Sequence, residues 1–560
     1  MNKPWLAHYE AHVPAQIDIP DTPLSDCLRR NARRYPGRTA VIFFNNKLTF
    51  KELNDAVDRF AAGLQKLGIK PGDRVAVYMP NCPQYIIAYY GVLRAGAIVV
   101  PCNPLYVARE LEHQLRDAGA RAMVVTSNFY HTVCEIRSNT ELQFTIVANI
   151  KDYFPAVLKT LFTVAKEKQE GHYVDLRTDR DALPFLELLK QAPSIPAPVR
   201  VRMDDTACLL YTGGTTGIPK GAELTHANLL VNAMQCQIWM NTRTADEVVL
   251  AALPMSHSYG MTTCMNHGVY AASTLVLIPN PRDLHFVLKN ATKHRATFFP
   301  GVPTIYVAIN NYANIKDFDL SSVRACISGG AGLPREVQTQ FEALTGGRVV
   351  EGYGLTEASP VTHANPVAGE RRIGAIGLPW PGCECKLVDV EDGVTEVAQG
   401  ELGELCIKGP QVMKGYWNMP EETAQVLRDG WLHTGDIARM DADGYFSIID
   451  RKKDMIIAGG FNIYPRDVEE VLYENPKVKE AVVAGIPHPY RGETVKAYLV
   501  LKEGESATEE EMIRWCKGRL AKFKVPTAIE FRPELPKTMV GKVLRRQLRD
   551  EELAQAQQAG

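Results

Sequence analysis

The sequence lacks an excess of charge of either sign, and it lacks long apolar runs. Its 63 Lys and Arg residues stand against 64 Asp and Glu residues, a formal net charge of -1, so no overall field attracts a nucleic acid or an anionic membrane. No run approaches the roughly 18–20 apolar residues that a membrane-spanning helix needs. The opening stretch, MNKPWLAHYEAHVPAQ, has no apolar segment typical of a cleaved signal peptide. We therefore expect a cytoplasmic protein without a nucleic-acid partner.

Cysteine pairs at metal-binding spacing are also lacking. The twelve cysteines are scattered along the chain, and only Cys383 and Cys385 lie close together. A C-x-C without a second pair does not match a zinc finger. The pattern indicates reduced thiols in a cytosolic protein rather than disulfides or a zinc site.

The fold class follows from the pattern of apolar residues. A chain of 560 residues exceeds one hydrophobic core, so several compact units are expected. Residues 48–68 have apolar positions at helical spacing and end on glycine, and the buried-strand pattern DRVAVYMP follows. This alternation, and a second such series from residue 248 to about 350, predicts an α/β fold with mainly parallel, doubly wound sheets. In residues 374–450, short strands with frequent glycine turns predict a small barrel or antiparallel unit.

A domain boundary is predicted after residue 450. The stretch VEEVLYENPKVKEAVVAGIPH has the pattern of a helix and then a strand, and the last roughly 110 residues have the size of a small α+β domain. We therefore predict an N-terminal domain of residues 1–450 and a C-terminal domain of residues 451–560. The charged ending RRQLRDEELAQAQQAG is expected to fray.

A glycine- and threonine-rich stretch, YTGGTTGIPKG at residues 211–221, lies between an apolar strand pattern and a helix pattern. It is not a P-loop, because that motif needs G-x-x-x-x-G-K-[ST] and here a proline separates the last glycines from Lys220. Glycine lets backbone N–H groups crowd an anion, threonine hydroxyls add donors, and Lys220 adds a mobile positive charge. The stretch predicts a phosphate site rather than a flexible surface loop.

A second stretch, EGYGLTEASP at residues 351–360, carries residues suited to a nucleotide and a metal ion. A strand pattern ends at Tyr353, whose ring could stack on a base. Thr356 and Glu357 follow and offer the hard oxygen ligands that Mg²⁺ prefers.

Two later stretches add charged candidates. In WLHTGDIARMDADGYFSIIDRKKD, Asp436 and Arg451 could both bind ribose hydroxyls, although their spacing is also that of ordinary surface charges. In LPKTMVGKVLRR, Lys542 follows a glycine in a predicted turn. A solvated lysine is the alternative interpretation of that position.

Five stretches, taken in order along the chain, resemble the core motifs of one enzyme superfamily. These are YTGGTTGIPKGAELTH, YGLTE, WLHTGD, DRKKDMIIAGGFNIYP and PKTMVGKVLRR. They are similar to the motifs of the adenylate-forming enzymes, which include acyl-CoA synthetases, luciferases and the adenylation domains of peptide synthetases. The resemblance covers nearly the full length. It implies a large N-terminal domain of two doubly wound sheets plus a small β-barrel, and a small mobile α+β C-terminal domain.

The resemblance also implies which residues hold ATP. The phosphates would contact Thr212, Thr215, Thr216 and Lys220, while Tyr353 would stack on adenine. The full set implied for ATP is Thr212, Gly213, Gly214, Thr215, Thr216, Gly217, Lys220, Gly330, Tyr353, Gly354, Thr356, Asp436, Arg451 and Lys542. In this set Asp436 and Arg451 would bind the ribose, and Glu357 would bind Mg²⁺ beside it.

Catalytic and conformational roles are implied in the same way. The catalytic residues would be Lys542, Thr212, Lys220 and His257, with Lys542 bridging the carboxylate of the acid and the adenylate oxygen. Lys453 lies at the hinge position of the superfamily, where some members carry Asp. Gly459 and Gly460 would line the channel for the pantetheine arm of coenzyme A.

The reaction implied by the resemblance has two steps. A carboxylate attacks the α-phosphate of ATP and gives an acyl-adenylate and pyrophosphate, and coenzyme A then attacks the mixed anhydride. ATP and coenzyme A would be co-substrates, with Mg²⁺ as the metal. This chemistry needs charge placed around leaving oxygens rather than a protein nucleophile.

The stretch LPMSHSYGMTTCMNHGVYAASTLVLIPNPRD follows the position where the superfamily builds its acyl pocket, and no Asp or Glu lies between Glu247 and Asp283. A domain that activates amino acids would be expected to meet the ammonium group with a carboxylate, because a buried unpaired cation is costly. We predict an apolar acyl tail, with His257, Tyr259 and Gly260 at the pocket. The following stretch, PNPRDLHFVLKNATKHRATFFPGVPTIYVAINN, is similar to bacterial long-chain fatty acyl-CoA synthetases and implies a medium- to long-chain fatty acid.

Three other interpretations are open at this point. One is an aryl- or alicyclic-acid CoA ligase with the same mechanism and a shorter pocket. Another is a carrier-protein acylase or a luciferase-like oxygenase, although no carrier domain follows Gly560. The last is a nucleotide-binding module without enzymatic activity.

One short segment bears on membrane contact. Residues 153–165, YFPAVLKTLFTVA, predict an amphipathic helix with Leu158, Leu161, Phe162 and Ala165 on one face. Packing on the domain surface is one interpretation, and peripheral contact with the inner face of a membrane is the other. For the oligomeric state, a homodimer is expected only because two-fold assemblies are the commonest.

Overall fold

The protein is described here by a computed structural model that covers residues 3–177, 179–212, 219–458, 461–488, 492–538, 541 and 543–559. The described residues contain α-helices α1 to α17. Their bounds are α1 Leu24–Arg34, α2 Phe50–Lys66, α3 Pro83–Arg94, α4 Ala108–Ala118, α5 Tyr130–Ile136, α6 Ala156–Ala165, α7 Phe185–Gln191, α8 His226–Trp239, α9 Ser258–Gly260, α10 His267–Tyr270, α11 Leu284–Lys293, α12 Pro303–Asn310, α13 Arg335–Thr345, α14 Pro420–Val426, α15 Pro465–Tyr473, α16 Glu509–Lys517 and α17 Arg545–Ala559.

The strands of the same residues are numbered β1 to β26. Their bounds are β1 Thr39–Phe43, β2 Asn46–Thr49, β3 Arg74–Tyr78, β4 Ile98–Cys102, β5 Ala120–Thr126, β6 Phe144–Ala148, β7 Ala182–Pro184, β8 Thr206–Thr212, β9 Lys220–Thr225, β10 Val248–Ala251, β11 Thr274–Leu277, β12 Ala325–Ser328, β13 Arg348–Gly354, β14 Val361–Ala364, β15 Leu378–Pro379, β16 Glu384–Val388, β17 Leu402–Lys408, β18 Gly415–Tyr416, β19 Leu427–Arg428, β20 Trp431–Met440, β21 Phe446–Arg451, β22 Ile456–Ala458, β23 Phe461–Ile463, β24 Val478–His488, β25 Gly492–Leu501 and β26 Ala528–Phe531.

The chain forms two compact units. We call Leu6–Glu384 with Lys408–Gly430 the large unit, and Met1–Trp5, Cys385–Ile407 and Trp431–Gly560 the small unit. Residues 385–407 and 431–450, which lie in the stretch predicted to form a small barrel or antiparallel unit, therefore belong to the small unit. The predicted domain boundary after residue 450 stays a prediction.

The large unit is built on an eight-stranded sheet of order β18-β9-β8-β4-β3-β5-β6-β7. Strands β3, β4 and β5 pair in parallel and are almost wholly buried, as expected for sheets covered by helices on both faces. Helix α3 is buried along its whole length. Two four-stranded sheets, β10-β11-β1-β2 and β12-β13-β14-β15, complete the unit. The predicted α/β class with doubly wound sheets is confirmed.

Helix α6 in the large unit lies within the stretch predicted to form a short amphipathic helix. Phe162 is buried and packs edge-on against Phe154, with ring centroids 5.4 Å apart. The exposed apolar face consists instead of Val157, Leu161 and Val164, which are 74%, 60% and 84% exposed. Of the predicted face, Phe162 packs against an aromatic cluster of the large unit, whereas Leu161 is exposed. Among the described residues, no helix is both long enough and apolar enough to cross a bilayer.

The small unit contains an antiparallel sheet that includes β17, β20 and β21, and a mixed sheet of order β23-β22-β25-β24 with β26 beside β25. Helices α15 and α16 cover one side of the mixed sheet through Val468, Leu472, Met512 and Cys516, which are all buried.

Helix α17 corrects the expectation of a frayed ending. Leu548 is fully buried in a cluster with Tyr498 and Val500, and Arg549 pairs with Glu493 at 3.1 Å. The prediction was wrong because the ending is mostly polar, and one buried leucine and a few ion pairs are too weak a pattern to recognise in the sequence.

Candidate functional site

The glycine- and threonine-rich stretch joins two strands of a hairpin. Strands β8 and β9 pair antiparallel, with Thr212 opposite Lys220, and the Thr212 hydroxyl donates to the Lys220 carbonyl at 3.5 Å. The predicted residues Gly213, Gly214, Thr215, Thr216 and Gly217 lie between them and outside the described residues. The paired ends of the two strands therefore place Thr212 and Lys220 side by side at the base of the predicted phosphate loop.

Lys220 is nearly buried and lies in a polar cluster. Its side chain is 15% exposed and its ammonium group pairs with the carboxylate of Glu422. The ammonium nitrogen also lies 5.3 Å from the ring centroid of Tyr416. Neither Glu422 nor Tyr416 was predicted from the sequence, because both lie about 200 positions away in a stretch without a recognised motif.

Backbone pairing explains how this distant segment reaches the hairpin. Strand β18 adds to β9, with Gly415 opposite Glu223 and Tyr416 opposite Ala222. The side-chain amide of Asn228, in the first turn of α8, donates to the backbone carbonyl groups of Pro410 and Val412 at 2.8 Å each. The segment is thus fixed to the strand that carries Lys220.

The second predicted stretch reaches the same cluster. Strand β13 ends at Gly354, and the short 3₁₀ turn Thr356–Ala358 follows. The Tyr416 hydroxyl donates to Glu357 Oε1 at 2.7 Å. Burial, followed by the nearby Glu357 carboxylate, raises the pKa of Tyr416 far above its ordinary value, so this hydroxyl stays a donor. The structure therefore connects Glu357 to Lys220 through one tyrosine side chain.

Tyr353 and Gly354 lie at the end of β13. The half-buried Tyr353 ring packs edge-on against His363, with centroids 5.9 Å apart. A Cβ atom at Gly354 would lie 2.1 Å from the Pro360 carbonyl oxygen, so only glycine fits there. The two backbones therefore run close together directly after Tyr353.

The oxygen atoms at Glu357 and Thr356 fit a magnesium ion that is bound only in part by the protein. Glu357 and Thr356 offer oxygen atoms, and among the described residues no group of three His, Cys, Asp or Glu side chains could hold a metal. Magnesium in nucleotide sites is commonly bound by one or two carboxylates together with substrate phosphates, and it does not need a cage made wholly by protein. A single carboxylate next to the predicted phosphate site would meet that requirement.

The predicted pocket residues lie at the start of a helical segment. His257 is exposed, and its Nδ1 accepts from the amide of Tyr259 at 3.2 Å, so it caps helix α9. The Ser258 hydroxyl lies 3.3 Å from that of Thr356. This contact brings the predicted pocket next to the turn that carries Glu357.

Tyr259 and Gly260 lie deeper than His257. Tyr259 is buried, and its hydroxyl donates to the carbonyl groups of Ile327 at 2.7 Å and Gly301 at 3.1 Å. A Cβ atom at Gly260 would lie 2.3 Å from the Pro254 carbonyl oxygen. The Tyr259 ring also packs beneath Gly329, next to the predicted Gly330, which is exposed and has a φ of 85°. Tyr259 and Gly260 thus lie packed beneath the surface next to the predicted pocket, and the Tyr259 hydroxyl is bonded to two carbonyl groups.

The predicted ribose-binding pair lies in the small unit. Asp436 in β20 is the register partner of Arg451 in β21, and the Arg451 Nε lies 3.2 Å from Asp436 Oδ1. Two residues whose spacing was uninformative in the sequence are therefore direct neighbours on a sheet. Their side chains differ in exposure, at 8% for Asp436 and 36% for Arg451.

Lys453 follows Arg451 in a turn after β21. Desolvation, followed by the nearby Arg451 charge, lowers the pKa of Lys453 to about 8. The other predicted residues of this unit, Gly459, Gly460 and Lys542, lie outside the described residues.

A cluster of ion pairs around Arg545, which includes the neighbour of Lys453 in the chain, was not predicted from the sequence. Arg545 at the start of α17 contacts Glu469 at 2.7 Å, Asp454 at 3.0 Å and Asp450 at 3.5 Å. Asp450 also accepts from the backbone N–H of Arg466 at 2.9 Å. These contacts fix the start of α17, three residues after Lys542, to the segment that carries Lys453.

Comparison with known proteins identifies the family of this chain. The family profile described as AMP-binding enzyme matches residues 28–417, and that described as AMP-binding enzyme C-terminal domain matches residues 467–542. A "Long-chain-fatty-acid--CoA ligase" of Bacillus subtilis (strain 168) is 47% identical over 553 residues, and one of Escherichia coli O157:H7 is 42% identical over 561, each match covering 98% of both chains. The crystal structure of ATP-bound MatB from Rhodopseudomonas palustris is 30% identical, with a TM-score of 0.82, and covers 95% of this chain and 99% of that one. The chain belongs to the AMP-binding enzyme family.

Proposed function

We propose that this protein is an ATP-dependent fatty acyl-CoA synthetase, an AMP-forming acid–thiol ligase that acts on medium- to long-chain fatty acids. The observation that carries the proposal is the convergence of Lys220 and Glu357 on Tyr416, because it joins a phosphate-binding lysine to a metal-binding carboxylate. Full-length relatives at 42–47% identity, both named as long-chain fatty acid ligases, support the substrate class.

In the first step, the fatty acid carboxylate attacks the α-phosphate of ATP. Lys220 and Thr212 lie at the base of the loop and contact the β- and γ-phosphates, whose charge rises as pyrophosphate leaves. Tyr353 stacks on adenine, and Asp436 and Arg451 hold the ribose hydroxyls. Glu357 would hold Mg²⁺, and the ion would supply positive charge next to the phosphates.

In the second step, the thiol of coenzyme A loses its proton and attacks the acyl carbon of the acyl-adenylate, so that the bond to the phosphate breaks and AMP leaves. Lys542 completes the adenylation site and then withdraws. It withdraws because residues 451–560 move relative to residues 1–450, with Lys453 at the hinge. Gly459 and Gly460 line the channel for the pantetheine arm.

The acid that fits this site has an uncharged tail. Residues 248–282 contain no Asp or Glu, and the preceding Glu247 is fully buried and bonded to Arg324 at 2.7 Å. No carboxylate of this segment is therefore available to meet a charged group on the substrate. His257 lies at the exposed end of the segment, and Tyr259 and Gly260 form its buried wall.

The two half-reactions test the proposal separately. Exchange of labelled pyrophosphate into ATP should depend on hexadecanoate, and Lys542→Ala should abolish this exchange. The same variant should still form the thioester from supplied hexadecanoyl-adenylate and coenzyme A. An equal loss of both half-reactions would contradict the separate roles, and exchange that does not need the acid would contradict the proposed function.

We also propose a cytoplasmic enzyme that touches the inner face of the membrane through helix α6. The support is the exposed apolar face of Val157, Leu161 and Val164, with Lys159 and Lys166 in the same helix region, a composition typical of interfacial helices. Sedimentation with vesicles that contain anionic lipid should capture the protein, and Leu161→Glu should release it. Equal binding of both forms would contradict the proposal.

For the oligomeric state we propose a homodimer, on the frequency of two-fold assemblies alone. Sedimentation velocity distinguishes a dimer from the 62.2 kDa chain. A single species at the mass of one chain, at all concentrations, would contradict it.

A further inference from the structure

The carboxylate of Glu422 pairs with the ammonium group of Lys220, which the proposed function assigns to binding the ATP phosphates. It is the carboxylate that contacts Lys220, and the lysine side chain is 15% exposed while that of Glu422 is 38% exposed. A nearly buried cation therefore has a partner that remains accessible to water. An anion that enters the loop meets this ion pair rather than an unpaired lysine.

The position of Glu422 is set by the backbone around it. Helix α14 begins at Pro420, and the Thr423 hydroxyl accepts from the backbone N–H of Tyr416 at 2.8 Å and donates to the carbonyl of Met419 at 2.8 Å. This turn is attached to β18, which pairs with the strand that carries Lys220. The carboxylate thus reaches Lys220 because the start of α14 is fixed there.

We propose that Glu422 is a positioning residue of the phosphate site, which holds Lys220 when nucleotide is absent and competes with ATP and pyrophosphate for it. This inference rests on the proposed role of Lys220. Lysine is a compact point charge that can exchange one anion for another without a fixed geometry. A triphosphate carries more charge than one carboxylate, so ATP displaces Glu422, and Glu422 in turn favours release of pyrophosphate.

Tyr416 limits where Lys220 moves during this exchange. Its ring faces the ammonium group at 5.3 Å, while its hydroxyl donates to Glu357 at 2.7 Å. A cation over an aromatic face is attracted to it whichever anion it contacts. Lys220 therefore exchanges Glu422 for phosphate while staying next to the carboxylate that is proposed to bind the metal.

The expected effect is modest, because partly exposed ion pairs are weak. Removing a competitor of this kind should tighten the binding of each anion about two- to five-fold. The direction is informative, because a carboxylate that merely held Lys220 in a productive orientation would give the opposite result. Loss of that orientation would weaken the binding of ATP.

Isothermal titration calorimetry with the full chain tests the inference. ATP with Mg²⁺, and separately pyrophosphate with Mg²⁺, are titrated into the wild type, Glu422→Gln, Glu422→Asp and the control Glu421→Gln. Glu421 lies next to Glu422 in α14 and is exposed. Both anions should bind more tightly to Glu422→Gln, and the control should match the wild type. Unchanged or weaker binding to Glu422→Gln would overturn the inference. If that variant does not fold, Glu422→Asp, whose shorter side chain draws the carboxylate back from Lys220, should bind both anions more tightly than the wild type, and unchanged or weaker binding would overturn the inference.

Lys220→Ala separates this inference from the proposed function. If that variant binds both anions as well as the wild type does, the proposed role of Lys220 fails. If it binds them more weakly while Glu422→Gln does not bind more tightly, only the competition fails. In Lys220→Ala, the added Glu422→Gln change should have no effect on anion binding, because the two residues act through one contact.

Discussion

The hydroxyl of Tyr416 gives the sharpest test of how the site is organised. Tyr416→Phe removes the hydrogen bond to Glu357, which measures 2.7 Å, and leaves the ring next to Lys220. A hydrogen bond to a charged group contributes about 1.5–3 kcal/mol. Glu357 is half-buried, so water replaces part of this interaction, and we expect a loss of about 1.5 kcal/mol, or roughly tenfold in rate.

Steady-state kinetics and a magnesium titration measure the effect. For Tyr416→Phe, kcat/KM for ATP should fall roughly tenfold, the magnesium concentration for half-maximal rate should rise, and KM for hexadecanoate should not change. Tyr173→Phe is the matched control, because Tyr173 is 60% exposed in the same large unit. If Tyr416→Phe lowered the melting temperature while the magnesium dependence stayed that of the wild type, the tyrosine would be only structural and the reasoning would be refuted.

Three further predictions concern stability. Arg545→Ala should lower the free energy of unfolding of the small unit by about 3–5 kcal/mol, because its buried carboxylate partners lose their cation, and urea unfolding against the half-exposed control Arg546→Ala measures this. Burial lowers the pKa of His267 to about 4, below the unfolded value near 6.5, so its contribution of about 3 kcal/mol to stability is complete above pH 6.5 and is lost as the pH falls towards 4. His267→Gln should therefore reduce the dependence of the melting temperature on pH between 4 and 6.5. A pH dependence equal to that of the wild type would contradict this prediction. The folded pKa of Lys453, about 8, lies below its unfolded value, so stability should rise as the pH increases through 8, and Lys453→Met should remove this rise in melting curves recorded from pH 7 to 10.

Local sequence patterns predicted the elements that carry the motifs. Strand β8 lies where apolar patterning placed it, helix α8 begins at His226 directly after its N-cap Thr225, and β13 ends at Gly354, one residue after Tyr353. These elements are specified by residues within one or two turns of each other, so a single sequence suffices to recognise them. The alternation of strands and helices then gave the α/β class.

Contacts between distant segments could not be predicted in the same way. Asp436 and Arg451 became neighbours only through the register of β20 and β21, and Tyr416 reached Lys220 only because β18 adds to β9. Each of these contacts depends on strand pairing, which neither segment specifies alone. The roles of Gly459, Gly460 and Lys542 remain predictions from the motifs.

Analysis of the nucleotide product tests the central claim most directly. The protein is incubated with ATP, Mg²⁺ and coenzyme A, together with hexadecanoate, with benzoate or without an acid. The account predicts AMP, pyrophosphate and hexadecanoyl-CoA in equal amounts with hexadecanoate, and little product otherwise. AMP formed only with benzoate would contradict the assigned substrate, and ADP, or no turnover that depends on an acid, would contradict the mechanism itself.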